Sequence, residues 1–401
     1  MRLYLLALNP TDSVTEGFLP AAAALGLDVT VLTDSAGAHH LAYAALPRPV
    51  EVLECQVQDF REVIGLISRH HAPDAVFTNS DHLQTQAALA AGYFGLPAKD
   101  WKATLRAKNK AELRRHLTAS GLDAVRSTEL APGQDLAALA APDLPFPCVV
   151  KPREGVASED VVLAGDLDEL VRLGTEIQRR RTGAALVVEE FLVGDLRTLE
   201  TLGDGRTRHV LGGFRTQVSR PPGFIEEALD FVHAHPKAVV DQVLAQLDEL
   251  GVGLGACHTE FIVQADGRAR IVEVNYRAIG DRADLMMAQV LGIPYFELVL
   301  RTHLGERLPA DLGARDDTYA HNLAVCADRA GTLTAAPGPA ELVEGDVRLS
   351  YRPLRALGEQ HPHYRTNRDY LGLIWALGPD PVALREAAAR FAAAQRWEIT
   401  P

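Results

Sequence analysis

Cysteine is scarce in this 401-residue chain. The four present, Cys55, Cys148, Cys257 and Cys326, lie far apart and form no C-x-x-C pair. That spacing argues against a disulfide framework and against a zinc site. Positive charge is also short, with 40 Lys and Arg against 53 Asp and Glu, a formal charge of −13. Nucleic acid and anionic membrane are disfavoured as main partners, because both call for a basic surface. Long apolar runs are missing too: the opening MRLYLLALNP is too short for a signal peptide, and nothing reaches membrane-spanning length. The first strand-like run leads into Asn9-Pro10-Thr11-Asp12 rather than G-x-G-x-x-G, so a dinucleotide site is poorly supported. The alternation Gly251, Gly253, Gly255 precedes a strand, not a helix, and is rejected as a cofactor loop. His39-His40, His70-His71 and His361-Pro362-His363 have no helical i, i+4 partner and read as surface or loop histidines. Arg179-Arg180-Arg181 reads as the solvated end of a helix. The expectation is a soluble cytoplasmic enzyme.

What is present is ordinary globular material, 47% hydrophobic and 23% charged, in a chain long enough for two to four domains. Up to about residue 103, strand runs (RLYLLAL, LDVTVLTD, Ala75 to Thr78) alternate with helical stretches (Phe18 to Leu25, Phe60 to His70, Leu83 to Gly92). Such βαβ alternation implies a parallel sheet with ligands at the carboxyl ends of its strands. One amphipathic helix is expected from Leu105 to Ser120, carrying Lys108 and Lys110, then a proline- and alanine-rich linker from Ala131 to Pro147. Strands at Cys148 to Lys151 and Val161 to Leu163 flank a polar loop, followed by a helix from Leu167 to Arg181 and a strand from Ala185 to Glu189. Residues 196 to about 308 read as strands with one helix, Pro236 to Leu250, and the last ninety or so as a small α+β tail.

The most informative stretch is His258 to Gly280, HTEFIVQADGRARIVEVNYRAIG. Apolar runs at Phe261 to Val263 and Ile271 to Val274 enclose the turn Ala265-Asp266-Gly267-Arg268, a hairpin pattern. In a hairpin Glu260 and Glu273 can face one cleft, with Asn275 and Arg277 at alternate positions on the same side. Two carboxylates and an amide oxygen suit Mg²⁺, and an arginine beside them can meet a phosphoryl group or an oxyanion. Taken alone, such a stretch is more often an ordinary hairpin with solvated charges on its outer face.

Other features are individually modest. Lys151 ends a buried strand, where a lysine either snorkels to water or serves function. The loop Arg153 to Ser158 offers backbone N–H groups that could close over phosphates, although it is glycine-poor and acidic. The segment Glu189-Glu190-Phe191-Leu192 after a valine-rich strand could read an adenine edge through its backbone, and Asp195 could accept from ribose hydroxyls.

The order of these parts is more telling: helix lysine, strand lysine, small-residue loop, E-E-F-L-x-G-D, H-T-E, then E-x-N-x-R. In that order the chain resembles the ATP-grasp superfamily, specifically its carboxylate–amine ligases, which include L-amino acid ligases and biotin carboxylase-like enzymes. The resemblance runs through essentially the whole chain and is strongest from Phe77 to about Leu304. It implies an α/β and α+β protein: a Rossmann-like parallel-sheet domain over 1–103, a lid subdomain over 104–190, a large subdomain with the metal site over 191–308, and a small C-terminal α+β subdomain over 309–401. It also implies that Lys110 and Lys151 hold nucleotide phosphates, with Ser158 in the lid loop, Glu189, Glu190, Phe191 and Leu192 at the adenine and Asp195 at the ribose. Glu260, Glu273 and Asn275 would ligate two Mg²⁺ ions, replaceable by Mn²⁺, and Arg277 with Lys151 would be catalytic. Gly280 fits the glycine that keeps the substrate loop open. Asp81, Arg215, His258, Asp281 and Arg282 are expected near the substrate, with surface ion pairing the alternative for Arg215, His258, Asp281 and Arg282.

The implied reaction activates a carboxylate as an acyl phosphate at the expense of ATP, releases ADP and joins the acyl group to an amine, with amino acids as expected substrates. The partners are then small carboxylates and amines, with a homodimer as a possible assembly. Two alternatives differ in class: bicarbonate activation for carboxylation, and a non-catalytic ATP-binding module.

Overall fold

In this computed structural model the described residues are 1–139, 144–219 and 223–401. The N-terminal apolar runs form an all-parallel sheet in the order Glu51–Glu54, Asp28–Thr33, Arg2–Leu6, Ala75–Phe77. Helices pack on it. In Phe60–Arg69, for example, Val63 and Ile67 are buried one turn apart and Asp59 caps the first turn by accepting from the Arg61 N–H. The strand Glu51–Glu54 and the helix Ala36–Tyr43 are additions to the expected pattern; E-V-L-E is too short and too acidic to show a buried strand's periodicity.

The single helix expected over Leu105 to Ser120 is two, Trp101–Lys108 and Lys110–Ser120. Asn109 breaks it: in extended conformation it ends one helix and caps the next, its Oδ1 accepting from Ala111 and Glu112 N–H. Lys110 thereby lands at the first turn of a new helix rather than in the middle of a long one.

A four-stranded antiparallel sheet follows, in the order Ser127–Leu130, Leu186–Glu190, Cys148–Pro152, Val162–Ala164, with the helix Leu167–Arg180 covering it. Of the expected linker Ala131 to Pro147, residues 140–143 lie outside the described residues.

The largest sheet has nine strands in the order Ala269–Asn275, Leu254–Val263, Asp195–Asp204, Arg208–Val218, Glu226–Val232, Tyr319–Cys326, Tyr370–Gly378, Val347–Pro353, Ala340–Glu344. It therefore runs without a break past residue 308 into the C-terminal part. Besides Lys237–Leu250, the stretch before residue 308 holds two buried helices, Ala283–Leu291 and Tyr295–His303, bent by 105° at their junction. Among the described residues, no single helix is long and apolar enough to cross a membrane.

Three readings of polar residues are corrected by packing. His39 is fully buried, bonded to the Tyr43 hydroxyl at 2.9 Å, and His361 is buried against Asp369 at 2.8 Å, so neither is a surface histidine. Arg180 and Arg181 are not simply solvated: both pair with Asp160, and Arg181 also with Glu159 at 2.7 Å. The four cysteines are free.

Candidate active site

A cavity of about 530 Å³ opens between the lid sheet and the nine-stranded sheet. Its floor is the predicted hairpin. Glu260 lies directly opposite Glu273, and His258 opposite Asn275. The alignment depends on a β-bulge: Phe261 pairs with Ile271, so Val272 is an extra residue. Regular pairing beyond Phe261 would have set Glu260 against Val272 and turned Glu273 away.

Most cations in the cavity are matched by carboxylates. Lys110 Nζ lies 2.9 Å from Glu273, and Lys151 Nζ 2.8 Å from Glu189. Arg114 grips Glu189 with two donors, at 2.9 and 3.1 Å. Burial would raise the Glu189 carboxyl, but Arg114 and Lys151 outweigh it and hold the group down at about 2. Burial pulls the Lys151 ammonium below its usual range against the attraction of Glu189, whereas Glu273 keeps the equally buried Lys110 raised. Arg114 is absent from the expected set, although it stands one helical turn from Lys110 on the same face, a spacing that could have indicated it.

His258 bridges two acids, with Nδ1 2.7 Å from Glu200 and Nε2 3.5 Å from Glu260. Burial opposes its charge, but these carboxylates push it up to about 10, and His258 in turn helps keep Glu260 ionised despite burial. Asn275 Nδ2 donates to Glu260 at 3.4 Å, leaving its Oδ1 as an acceptor. Two opposed carboxylates with an amide oxygen beside them form a hard-oxygen donor set that fits Mg²⁺.

The lid loop is glycine-poor yet adopts left-handed backbone at three non-glycine residues, Ala157 (φ 55°), Ser158 (φ 56°) and Asp160 (φ 57°). Charges hold it in this conformation. Arg180 and Arg181 clasp Asp160, and Glu159 pairs with both Arg181 and Arg368 of the C-terminal part.

Lys110, Lys151, Ser158, Glu189, Glu190, Phe191, Leu192, His258, Glu260, Glu273, Asn275, Arg277, Gly280 and Asp281 are thus all brought to one cavity. The adenine edge is altered in detail. The Glu189 side chain is spent on Arg114 and Lys151, while Glu190 and Phe191 donate their N–H groups to Arg126 and Pro147 carbonyls. The Leu192 N–H makes no backbone hydrogen bond with the described residues.

Four expected residues are not in the cavity wall. Asp195 is exposed and pairs with Arg197 at 3.2 Å; Leu196 and Thr198 line the cavity, so by strand alternation Asp195 faces the other way. Arg215 is exposed and sits opposite Arg197, on that same outer face. Asp81 is buried in an ion pair with Lys108. Arg282 turns back to Asp12 and Glu16 and lies over the Trp375 ring, tying its loop to the N-terminal part.

The far end of the cavity holds residues with no sequence signature. Glu226, Asn322, Asn367 and Tyr370 line it together with Asp281. Glu226 reaches the wall through a second bulge: Val218 pairs with Glu226 but Gln217 with Ala228, so Glu227 is extra. Burial, reinforced by the charge of Glu260, pushes the Glu226 carboxyl up. Asp281 is open to the cavity, but the enclosing walls raise its carboxyl against the pull of Arg277 and His258.

Solved structures share this arrangement of sheets over the whole chain. An L-amino acid ligase from Bacillus licheniformis superposes with a TM-score of 0.79 at 23% identity, covering 100% of this chain and 99% of the other. The chain has the ATP-grasp fold. The biotin carboxylase domain of the Hydrogenobacter thermophilus 2-oxoglutarate carboxylase, solved with MgADP and bicarbonate, gives a TM-score of 0.72 at 15% identity, covering 100% of this chain and 91% of its own. In sequence, a formate-dependent phosphoribosylglycinamide formyltransferase from Ignicoccus hospitalis is 28% identical over 274 residues, 63% of this chain. The chain spans 64% of that relative's length. No family model matches this chain.

Proposed function

We propose that this ATP-grasp chain is an ADP-forming carboxylate–amine ligase acting on amino acids. The observation that carries the reading is the bulged hairpin: Glu260 and Glu273 face each other, with Asn275 and Arg277 following into the cavity that both lysines enter. A mere nucleotide binder has no use for a second carboxylate ligand and an oxyanion donor.

ATP fits between the lid loop and the hairpin, its phosphates drawing Lys110 and Lys151 from their carboxylate partners. Glu260, Glu273 and Asn275 would hold Mg²⁺, which when bound neutralises phosphate charge as a Lewis acid. The substrate carboxylate oxygen attacks the γ-phosphorus, the bond to the bridging oxygen breaks, and ADP leaves. The amine nitrogen then attacks the acyl carbon, Arg277 meets the developing oxyanion, phosphate leaves and the nitrogen gives up a proton. One such oxyanion donor contributes about 3 kcal/mol. The lid loop, clasped from both sides by Arg181 and Arg368, keeps water from the acyl phosphate.

Amino acids are favoured because Glu226 and Asp281 line the cavity with no salt bridge to the described residues, and an ammonium group beside these raised carboxyls would draw them into the charged form. The test is an ADP-release screen over amino acids singly and in pairs, with bicarbonate plus biotin in parallel. Equal ADP and phosphate, dependent on an amino-acid pair, is the expected result. AMP with pyrophosphate would overturn the mechanism, and release driven by bicarbonate and biotin alone would favour a carboxylase.

A further inference from the structure

Lys99 makes no salt bridge with a carboxylate among the described residues. It is 7% exposed, and its Nζ donates to Gln84 Oε1 at 2.7 Å and to the Tyr276 carbonyl at 2.5 Å, 4.3 Å from the centre of the Tyr276 ring. All three partners are neutral. Burial drives the ammonium down to about 7, with Arg277 pushing the same way against the weaker pull of Cys257 and the more distant Asp81. The neighbouring His303 offers no charge, since burial and then Lys99 hold it down at about 3. An unpaired charge is costly in such a place, and a neutral core side chain would pack there without that cost.

Its partners explain the position. Gln84 is oriented by its own amide, whose Nε2 donates to the carbonyls of Thr78 and Ser80 at 3.1 and 3.0 Å, turning Oε1 toward Lys99. From the same loop Asn79 Oδ1 accepts the Ala278 N–H at 3.1 Å. The carbonyl of residue 276 and the N–H of residue 278 belong to the two peptide groups that flank the Cα of Arg277. Tyr276 is further pinned through its hydroxyl, which accepts from the N–H groups of Gly253 and Leu254. Gly255 leaves the room for this: a Cβ there would lie 2.9 Å from His303 Nε2 and 3.1 Å from Lys99 Cε. The glycine alternation, unsuited to a cofactor loop, thus has a structural use.

We propose that Lys99 is a positioning residue for Arg277: together with Asn79 it clamps the peptide groups on both sides of Arg277 to the N-terminal parallel sheet, so that this sheet sets where the guanidinium points. The inference rests on the oxyanion role proposed for Arg277. It gives the parallel sheet a part in the chemistry that is independent of any substrate it touches.

The test compares Lys99→Met, Lys99→Arg and Asn79→Ala with Arg277→Lys and the double variant Lys99→Met/Arg277→Lys, in the full chain. By hydrogen exchange and mass spectrometry, Lys99→Met and Asn79→Ala speed exchange in the peptide spanning 276–280, while the sheet Asp195–Asp204 keeps its protection. With the amino-acid pair that releases ADP fastest, Lys99→Met lowers kcat about 10- to 100-fold, as losses of outer-shell support do, with KM for ATP within twofold. Lys99→Arg restores most of it, and adding Lys99→Met to Arg277→Lys costs nothing further. Unchanged exchange at 276–280 in both single variants overturns the clamp, as does a double variant whose losses multiply. An Arg277→Lys enzyme as fast as the parent would instead remove the role of Arg277 itself, whatever the exchange data show. Melting curves separate misfolding of Lys99→Met from loss of positioning, and Asn79→Ala, which leaves the buried lysine in place, tests the same clamp from its other side.

Discussion

At the lid end of the cavity every cation has a carboxylate, Lys110 with Glu273, Lys151 and Arg114 with Glu189. At the end walled by the C-terminal strands, Glu226 and Asp281 face the space with no ion-pair partner among the described residues. The first end is a set of ion pairs in which Glu189 serves two cations; on the proposed function a polyphosphate would take the lysines and a divalent cation the glutamates of the hairpin. The second holds two carboxyls that burial pushes up, and on the proposed function a protonated amine would bring them to the charged form. A further acid lies behind this wall, where Asp284 is fully buried one turn beyond Asp281.

The difference can be broken most severely at the lid end. Glu273→Gln removes a ligand charge and leaves Lys110 buried without its partner; turnover, followed as ADP release, should fall on the order of 10³-fold, with the fold retained by circular dichroism. A folded variant releasing ADP at near the parent rate would mean that the hairpin carries no metal.

Behind the acidic end the effect is on stability. Burial pushes the Asp284 carboxyl up to about 7, with Ser13 and the Leu285 N–H pulling it the other way. Its unfolded value is about 3.9, so the unfolded chain releases this proton first and the protein loses stability as pH rises from about 4 to 7. Asp284→Asn abolishes that loss and should stabilise the protein at pH 8 by on the order of 3 kcal/mol, and by far less at pH 4. Denaturant midpoints at the two pH values decide it; equal effects at both would show that Asp284 is not held neutral.

Glu226→Gln sharpens the contrast between the ends. KM for the amine-bearing substrate should rise about 10-fold while KM for ATP stays put, because a charge-assisted bond is lost only at the acidic end. A rise in both constants would place Glu226 among the nucleotide ligands. The smallest effect belongs to the lid loop, where Ala157→Gly removes the strain of a left-handed alanine at φ 55°. A gain of about 1 kcal/mol is expected from thermal melting, at some cost in the loop's order.

Much of the lid end is legible in the sequence. Lys110, Lys151, Glu189, Glu260, Glu273, Asn275 and Arg277 are marked by their order along the chain and the resemblance it carries, and all enter the cavity, Arg277 from the bend just past the strand Ala269–Asn275. Asp195 and Arg215 depart from expectation because a strand's register decides which face a side chain takes, and register is a property of pairing, not of one strand. Asp81 and Arg282 depart from it for another reason: each lies close to the cavity in the chain, but is drawn off by an opposite charge from a distant segment, Lys108 for one and Asp12 with Glu16 for the other.

The sequence alone determined the alternation that makes a parallel sheet, the turn that makes the hairpin and the order of lysines, glutamates and arginine along the chain, because these follow from periods of two to four residues and from local turn chemistry. Only the tertiary structure decided which of the charges meet. The bulges at Val272 and Glu227 turn Glu273 and Glu226 into the cavity, and an extra residue in a strand leaves no mark on hydrophobic spacing until its partner is known. Asn322, Asn367 and Tyr370 reach the site from more than a hundred positions beyond the lid, and Lys99 reaches the Tyr276 carbonyl across 177. Contacts of that span are set by how the sheets pack, which short-range pattern does not encode.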